Sequence, residues 1–346
     1  MSLAPNRTVL LPEERAVLRR AFVVRAGWGD AKEKALPADA SFRRYYRLQG
    51  GGGSALVMDA PPEREAVAPF VQIARHLAAL GFSAPRILDC DERAGFLLIE
   101  DFGDRTFTRL LADGASEDSL YRLAVDLLIA LHGREDAGRI ALPAYDLGPL
   151  LDEAALFVDW YWPEKQGRPC PAELRADYLA AWRLVFDQLP PAPATFVHRD
   201  FHVDNLMLLK EREGLESCGL LDFQDALIGP PAYDLVSLLE DARRDIDPGL
   251  VAQLYRRYCA GIGDLDHEGF AASYAALGAQ RHAKIAGIFI RLLRRDGKDA
   301  YLKHIPRVLR LLDRQLGETP ELAPVQAWMA EHLPDLTTPP EVVRER

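Results

Sequence analysis

Two acidic motifs, HRDFHVDN at residues 198–205 and LDFQDA at residues 221–226, are the most informative part of this chain. Each motif follows a short apolar strand, predicted at residues 195–197 and 219–221. Carboxylates beside an apolar core repel one another and lose hydration, so they are tolerated mainly where a cation neutralises them. Magnesium prefers such oxygen ligands, with phosphate groups and water completing its coordination. The motifs therefore predict a magnesium site that also meets phosphate.

Upstream of these motifs, the sequence has the pattern of a small sheet. The predicted elements are strands at residues 41–48, 55–58, 86–89 and 96–99 and a helix at residues 69–80. The glycine run at residues 50–53 predicts a hairpin turn, because the segments on either side are rich in aromatic or β-branched residues. Pro69 suits the first turn of the helix, and Gly81 suits its end.

Helical periodicity dominates after residue 101. Two apolar stripes have helical spacing, namely Leu120, Leu123, Leu127 and Leu131, and then Leu235, Leu238, Leu239 and Ala242. Only the two short strands that carry the acidic motifs are predicted to interrupt this region. The predicted fold class is α+β, with a β-rich lobe at residues 1–100, a mainly helical lobe at residues 101–336 and a loose tail at residues 337–346.

Composition places the chain among soluble globular proteins. Of its 346 residues, 49% are hydrophobic and 27% charged, and no apolar run approaches the roughly 20 residues that a membrane helix needs. Charge in the N-terminal stretch argues against a signal peptide, so we expect a cytoplasmic protein without a membrane partner, and we take it to be a monomer. The formal net charge of -10 argues against nucleic acid as a partner. The four cysteines lie far apart in sequence and form no CxxC pair, which favours free thiols; they are Cys90, Cys170, Cys218 and Cys259.

The paired motifs resemble a known pattern. HRD at residues 198–200, with the asparagine at position 205, is similar to the HxDxxxxN catalytic loop of the aminoglycoside phosphotransferase and choline kinase group. DFQ at residues 222–224 is similar to the magnesium-binding DFG position of kinases. The resemblance implies a two-lobed, protein-kinase-like fold that binds ATP and Mg²⁺. It assigns Asp200 as catalytic base, Asn205 and Asp222 as metal ligands, His198 and Asp234 as structural support, and backbone groups near Glu100 and Phe102 to adenine.

One position departs from the pattern of that group. Where the group has a lysine on the third strand, this chain has Met58 and no lysine nearby. Arg43, Arg44 and Arg47 alternate in direction along the preceding predicted strand, so at least one can face the nucleotide. We expect Arg43 and Arg44 to bind the nucleotide together with Ser41. A solvated strand face remains the alternative for each arginine.

Longer strings resemble a narrower family, the bacterial cell-wall-recycling kinases that phosphorylate the anomeric hydroxyl of N-acetylmuramate and N-acetylglucosamine. They are ADASFRRYYRL, VMDAPPE, HRDFHVDNLM, GLLDFQDALIGPPAYDLVSLL and QRHAKIAGIFIRLLRRDGK. VMDAPPE covers the position of the missing lysine, which favours a sugar kinase over an antibiotic kinase. An amino-sugar substrate is thus expected.

The expected substrate-binding residues are His202, Asp204, Asp225, Trp160 and Arg281. Aromatic rings can stack on the apolar face of a pyranose, but packing between helices is the favoured reading of the trio Trp160, Tyr161 and Trp162. Gln280 and His282 flank Arg281 and could bind hydroxyl or carboxylate groups.

Other functions fit part of the pattern. His198, Asp200, His202 and Asp204 could form a metallohydrolase site, since histidine and carboxylate ligands suit zinc or iron, but Asn205 would then have no role. The missing lysine would suit a non-catalytic nucleotide-binding module. Among kinases, an aminoglycoside or an amino alcohol stays open as the acceptor, and so does the ranking of N-acetylmuramate against N-acetylglucosamine.

Overall fold

Nine strands run through the part of the chain that this computed structural model describes, residues 11–37, 42–50 and 53–341. They are β1 (Lys32–Ala35), β2 (Arg44–Gly50), β3 (Gly53–Asp59), β4 (Ile87–Asp91), β5 (Phe96–Glu100), β6 (Thr195–Val197), β7 (Leu206–Leu208), β8 (Cys218–Leu220) and β9 (Leu227–Gly229).

Twelve α-helices lie in the same described residues. They are α1 (Pro12–Arg25), α2 (Ala68–Ala79), α3 (Phe107–Ala112), α4 (Glu117–His132), α5 (Leu147–Leu156), α6 (Trp162–Gln166), α7 (Ala172–Gln188), α8 (Ala232–Leu239), α9 (Pro248–Gly261), α10 (His267–Asp296), α11 (Ile305–Glu318) and α12 (Ala323–His332). A π-helical turn, Phe157–Tyr161, joins α5 directly to α6.

The chain divides into two compact units. The described residues of Met1–Ala115 and Asp204–Asp225 form the first, which we call the sheet unit. The described residues of Ser116–Val203 and Ala226–Arg346 form the second, which we call the helical unit. The boundary falls inside the HRDFHVDN motif, so that its aspartate at position 200 belongs to the helical unit and its asparagine at position 205 to the sheet unit.

An antiparallel sheet with strand order β1-β2-β3-β5-β4 is the centre of the sheet unit. Strands β2 and β3 pair from Arg44 with Asp59 to Gly50 with Gly53, which confirms the predicted pair of strands; residues 51–52 of the predicted turn lie outside the described residues. Helix α2 has Pro69 in its first turn, as predicted. The N–H groups of a first turn have no acceptor within the helix, so the N–H that proline lacks removes no hydrogen bond there. An antiparallel sheet followed by a mainly helical region confirms the α+β class.

Helix α1 covers one face of this sheet. Phe22 and Val23 on the helix pack with alternate residues of the strands, such as Ala55 and Val57, since successive strand side chains point to opposite faces. The rings of Phe22 and Phe96 stack with centroids 5.7 Å apart. Each large apolar side chain buried in this way contributes roughly 1.5–3 kcal/mol to folding.

Helix α10, which has 30 residues, is the longest element among the described residues and packs against α5, α8 and α11 in the helical unit. Its apolar face packs in one core with α7, α11, α12 and the π-helical turn. A Cβ atom at Gly287 of α10 would collide with the carbonyl oxygen of Leu156, so only glycine permits this close approach to the turn. The predicted leucine stripe of α4 is also buried for the most part.

The prediction that only two short strands interrupt the helical region is wrong. Four strands of three residues do so: β6 pairs with β9, and β7 pairs with β8, both antiparallel. The sequence did not indicate β7 and β9, because three apolar residues carry no recognisable period. Within the described ranges, no helix combines the length and apolar content that crossing a bilayer requires.

Candidate active site

The predicted site residues fall into two groups, one in each unit. In the helical unit, β6 leads into the segment that contains His198 and Asp200. The carboxylate of Asp234 accepts hydrogen bonds from the backbone N–H groups of His198, at 2.6 Å, and Arg199, at 2.8 Å. Asp234 is fully buried at the start of α8, so this pair of bonds fixes the loop to a rigid element.

The backbone of this loop is strained at one residue. Arg199 has a φ of 77°, a left-handed conformation that non-glycine residues rarely adopt, and such strain persists only where surrounding contacts hold it. Here the contacts are the Asp234 bond to the backbone and an ion pair between the Arg199 guanidinium and Glu153, with Nε 2.9 Å from Oε1. The strained residue directly precedes Asp200, so the contacts that hold Arg199 also restrain the backbone that carries Asp200.

Asp200 itself is half-buried and ionised. Burial opposes ionisation, but the charges of Lys284 and Arg281 outweigh it and lower the pKa of Asp200 to about 2. Both cations come from α10 and are themselves buried. A carboxylate kept ionised on a braced loop is the state that a proton acceptor requires.

Glu153 on α5 connects these groups in a buried network. Its carboxylate accepts hydrogen bonds from Lys284 Nζ at 2.8 Å, Tyr145 Oη at 2.6 Å and Gln280 Nε2 at 3.2 Å, in addition to Arg199. Burial raises the pKa of Glu153, yet the charges of Lys284 and Arg199 lower it to about 2. Each charge in the cluster is thus paired and hydrogen-bonded, as burial demands.

His202 lies on the other side of Asp200 along the loop. Its backbone N–H donates to the carbonyl oxygen of Asp200 at 3.1 Å, and its Nε2 accepts from Arg243 Nη1 at 3.4 Å. Burial and the charge of Arg243 hold the pKa of His202 well below its usual value, so the ring is neutral at neutral pH. The ring of His198 is buried edge-on against Phe201, and its nitrogens have no hydrogen-bond partner among the described residues.

In the sheet unit, the structure brings Asn205 and Asp222 together. They flank the paired strands β7 and β8 at the same end, where the Leu221 N–H donates to the carbonyl oxygen of Asn205 at 2.9 Å. Asp222 has a φ of 60° and a half-exposed side chain. An amide and a carboxylate offer the hard oxygen atoms that magnesium prefers, so this pair fits the ion.

Arg43 is the predicted phosphate-binding arginine that lies beside Asp222. Its Nη1 is 3.4 Å from Asp222 Oδ1, and its Nε pairs with Glu65. Gln224 also donates to Asp222 at 2.9 Å and to Asp225 at 3.3 Å. Arg43 is thus held by an acidic partner next to the proposed magnesium ligand, whereas Met58, at the position of the missing lysine, is buried within the sheet.

The predicted adenine-binding segment is held by arginines. Glu100 accepts from Arg86 Nε at 3.1 Å and from Arg212 Nη2 at 2.6 Å. The Phe102 ring lies against Gly219, where an added Cβ would come within 2.9 Å of it. Between these two residues, Asp101 accepts a hydrogen bond from Arg47 Nη2 at 3.0 Å. Arg47 therefore holds this segment and does not belong to a solvated strand face.

The remaining predicted residues have varied surroundings. Arg44 is exposed at the start of β2, Asp204 accepts from the hydroxyl of Thr108, and Ser41 lies outside the described residues. Trp160 is half-buried against the helical core in which Tyr161 and Trp162 are buried. Gln280 donates to the carbonyl oxygen of Leu150 at 3.0 Å, and His282 contacts Glu240 at 2.8 Å, so both have partners in the protein interior.

Four residues beside the predicted site were missed from the sequence: Glu65, Glu153, Arg243 and Lys284. Lys284 had a usable signal, because a lysine inside the apolar helical run AKIAGIFI is expected to be buried and paired. No sequence signal pointed to the acidic residues Glu65 and Glu153. Glu153, for example, is 131 residues away from its partner Lys284 in sequence. Among the described residues, no three histidine, cysteine or acidic side chains are grouped as a metal-binding cluster.

The fold and the braced HRD loop define a kinase-like phosphotransferase. The Phosphotransferase enzyme family (APH) matches residues 32–272, more than half of the chain, and the chain belongs to that family. Among its relatives, an N-acetylmuramate/N-acetylglucosamine kinase of Pseudomonas aeruginosa is 42% identical over 89% of this chain and 91% of that protein. One of Caulobacter vibrioides is 36% identical over 94% of this chain and 98% of that protein. The resemblance inferred from the motifs is thereby confirmed.

Solved structures share the fold. A choline/ethanolamine kinase family protein from Mesorhizobium loti matches with a TM-score of 0.59 and 16% identity, over 92% of this chain and 98% of that chain. An ADP-bound aminoglycoside phosphotransferase matches with a TM-score of 0.55 and 15% identity, over 88% and 99%. At such identity the likeness concerns the fold, and it confirms the kinase-like architecture predicted from the sequence.

Proposed function

We propose that this chain transfers the γ-phosphoryl group of ATP to the anomeric hydroxyl of N-acetylmuramate or N-acetylglucosamine, giving the sugar 1-phosphate and ADP. The observation that carries the kinase assignment is Asp200, ionised on a loop that Asp234 and Glu153 brace. The substrate class is supported by relatives of that name, at 36% and 42% identity over most of the chain. Since the reaction consumes ATP, we place it in the cytoplasm.

Asp200 acts as the base in this proposal. As the anomeric oxygen forms a bond to the γ-phosphorus, the bond from that phosphorus to the β,γ-bridging oxygen breaks, and ADP leaves with its electron pair. The hydroxyl proton passes to Asp200, whose low pKa keeps it ready to accept at neutral pH. Positioning of the acceptor and neutralisation of phosphate charge supply most of the rate enhancement.

Asn205 and Asp222 are the proposed magnesium ligands. The bound ion supplies positive charge to the phosphate oxygens of the nucleotide. Arg43, held by Glu65 beside Asp222, is the proposed phosphate-binding cation in place of the missing lysine at Met58. Backbone groups near Glu100 and Phe102 are proposed to bind adenine.

A phosphoryl-transfer screen tests the function. Purified protein, ATP and Mg²⁺ are incubated separately with the two amino sugars, an aminoglycoside and choline, and the phosphorylated position is read by ³¹P and ¹H NMR. We expect an anomeric phosphate on the amino sugars. Transfer to the aminoglycoside or choline alone would replace the substrate assignment, and ATP binding without any transfer would favour the non-catalytic module.

Substitution of the base tests the mechanism. Asp200→Asn should lower kcat by roughly 10²–10⁴-fold, the usual contribution of a positioned base, with ATP affinity nearly unchanged. Asp313→Asn, at an exposed position of α11 in the same unit, is the matched control and should keep full activity. Retention of activity by Asp200→Asn would remove Asp200 from the role of base.

A further inference from the structure

Two buried or half-buried cations of the helical unit share one carboxylate oxygen. Glu153 Oε1 accepts from Lys284 Nζ at 2.8 Å and from Arg199 Nε at 2.9 Å. The other oxygen, Oε2, accepts from two neutral donors, Tyr145 Oη at 2.6 Å and Gln280 Nε2 at 3.2 Å. The neutral donors fix the orientation of the carboxylate, and its charge is directed at the two cations.

Lys284 also acts on the proposed base through space. Burial opposes the ionisation of Asp200, and Lys284 is the first of the charges that outweigh it and lower its pKa to about 2. The effect is mutual, since burial opposes the charge of Lys284 and Asp200 is among the groups that raise its pKa. The hydrogen bonds of Lys284 nevertheless go to Glu153 and, at 3.1 Å, to Tyr233 Oη. Glu153 thus binds a cation that the charge of Asp200 also attracts.

A cation bound to Asp200 would impair it as a proton acceptor. A base must direct an oxygen at the hydroxyl that it deprotonates, and a cation on that oxygen both occupies it and lowers its basicity. Lysine is suited to such a capture, because its ammonium group carries three donors on a flexible four-carbon stem. Only 8% of the Lys284 side chain is exposed, so water would replace a lost partner poorly. Without Glu153, Lys284 would turn to another carboxylate.

We propose that Glu153 is a positioning residue for the reaction, which binds Lys284 and so keeps this cation from Asp200. This inference rests on the function proposed above. It assigns a role to the charge of Glu153 in addition to the contact by which this residue braces the loop. Neutral glutamine, which has nearly the same size, would lack the effect, whereas aspartate would keep the charge on a shorter side chain.

Loss of this charge would act on the loop at two points. Lys284 would pair with Asp200, and Arg199, whose φ of 77° is maintained by its contacts, would lose its ion pair. Both changes would move the Asp200 carboxylate relative to the acceptor hydroxyl, and a displacement of about 1 Å in a reacting group can cost roughly 10²-fold in rate. The residues proposed to bind the nucleotide belong to the sheet unit. The expected defect is therefore in kcat and not in the KM for ATP.

The test compares two variants that break the same ion pair and differ in the charge that remains. kcat and KM are measured with ATP, Mg²⁺ and each amino sugar for the natural protein, Glu153→Gln and Lys284→Met. Glu153→Gln should lower kcat by roughly 10²-fold and change the KM for ATP by less than about threefold. Lys284→Met removes the cation together with the pair, so its kcat should fall by less than about tenfold.

Further variants separate charge from structure. In Glu153→Gln/Lys284→Met no lysine is left to pair with Asp200, so kcat should recover at least about tenfold relative to Glu153→Gln. Glu153→Asp, which keeps the charge, should also recover part of kcat. The control Glu164→Gln neutralises a carboxylate that is likewise 7% exposed and lies 2.6 Å from Arg294. Since Arg294 is about 15 Å from Lys284 along α10, this control should keep full kcat.

Urea unfolding shows which variants are folded under the conditions of the assay. A kcat loss in Lys284→Met as large as in Glu153→Gln, or a double variant no more active than Glu153→Gln, would overturn the inference. Lys284→Met decides the question even where Glu153→Gln does not fold, because a loss of roughly 10²-fold in Lys284→Met contradicts the role proposed for Glu153. None of these outcomes alters the kinase assignment, which fails if the natural protein transfers no phosphoryl group to either sugar.

Discussion

Lys284→Met should destabilise the helical unit through the charge that it leaves unpaired. In the structure, Lys284 Nζ is 2.8 Å from Glu153 Oε1, and the two side chains are 8% and 7% exposed. Removing one partner of such a buried pair typically costs about 3–5 kcal/mol of unfolding free energy. Arg199 and Tyr145 still bind Glu153, so we expect a loss near the lower value, about 3 kcal/mol.

The pKa of Glu153 gives a second estimate of the same quantity. Its fall from 4.5 to about 2, caused mainly by Lys284 and Arg199 against the effect of burial, corresponds to about 3 kcal/mol. Because the folded pKa is the lower one, this stabilisation is complete above about pH 4.5 and is lost as the pH falls toward 2. The stability of Lys284→Met should therefore depend less on pH over that window.

Urea unfolding of a double-mutant cycle measures the pair. Lys284→Met and Glu153→Gln should each cost about 3 kcal/mol, and the double variant should cost at least about 1 kcal/mol less than their sum. The control Arg122→Met breaks the exposed pair with Asp118 on α4 and should cost less than about 1 kcal/mol. Additivity of the two buried substitutions within about 0.5 kcal/mol would refute the reasoning.

Two further predictions concern the loop and the metal ligands. Asp234→Ala leaves the backbone N–H groups of His198 and Arg199 without their acceptor. The unfolding free energy measured in urea titrations should therefore fall by about 2–4 kcal/mol. A smaller loss in Asp234→Ala than in Asp234→Asn would contradict this reasoning. Asp222→Ala should abolish the magnesium-dependent part of ATP affinity in calorimetry and leave the magnesium-independent part unchanged, since Asp222 is the proposed carboxylate ligand; persistence of the magnesium effect would exclude that role.

Local patterns were sufficient for much of the fold. Aromatic and β-branched segments on either side of a glycine run predicted the β2–β3 pair, and Pro69 with apolar periodicity predicted α2. These features are encoded in neighbouring residues, so no distant contact is needed to recognise them. The strands β7 and β9 were not predicted, because each has only three residues and is too short to show the apolar periodicity of a strand.

The sequence was sufficient to identify the family and the residues proposed for the reaction. Phosphoryl transfer requires these residues in a fixed order and spacing, and HRDFHVDN and LDFQDA contain them within short segments. Two other pairings could be recognised in the folded molecule alone: Glu153 joins Lys284 and Arg199, and Glu65 holds Arg43 beside Asp222. Such pairings depend on which buried charges meet when distant helices and strands pack. An unpaired buried charge is strongly destabilising, so each buried charge is paired. Tertiary packing, and not position along the chain, determines which residue is its partner.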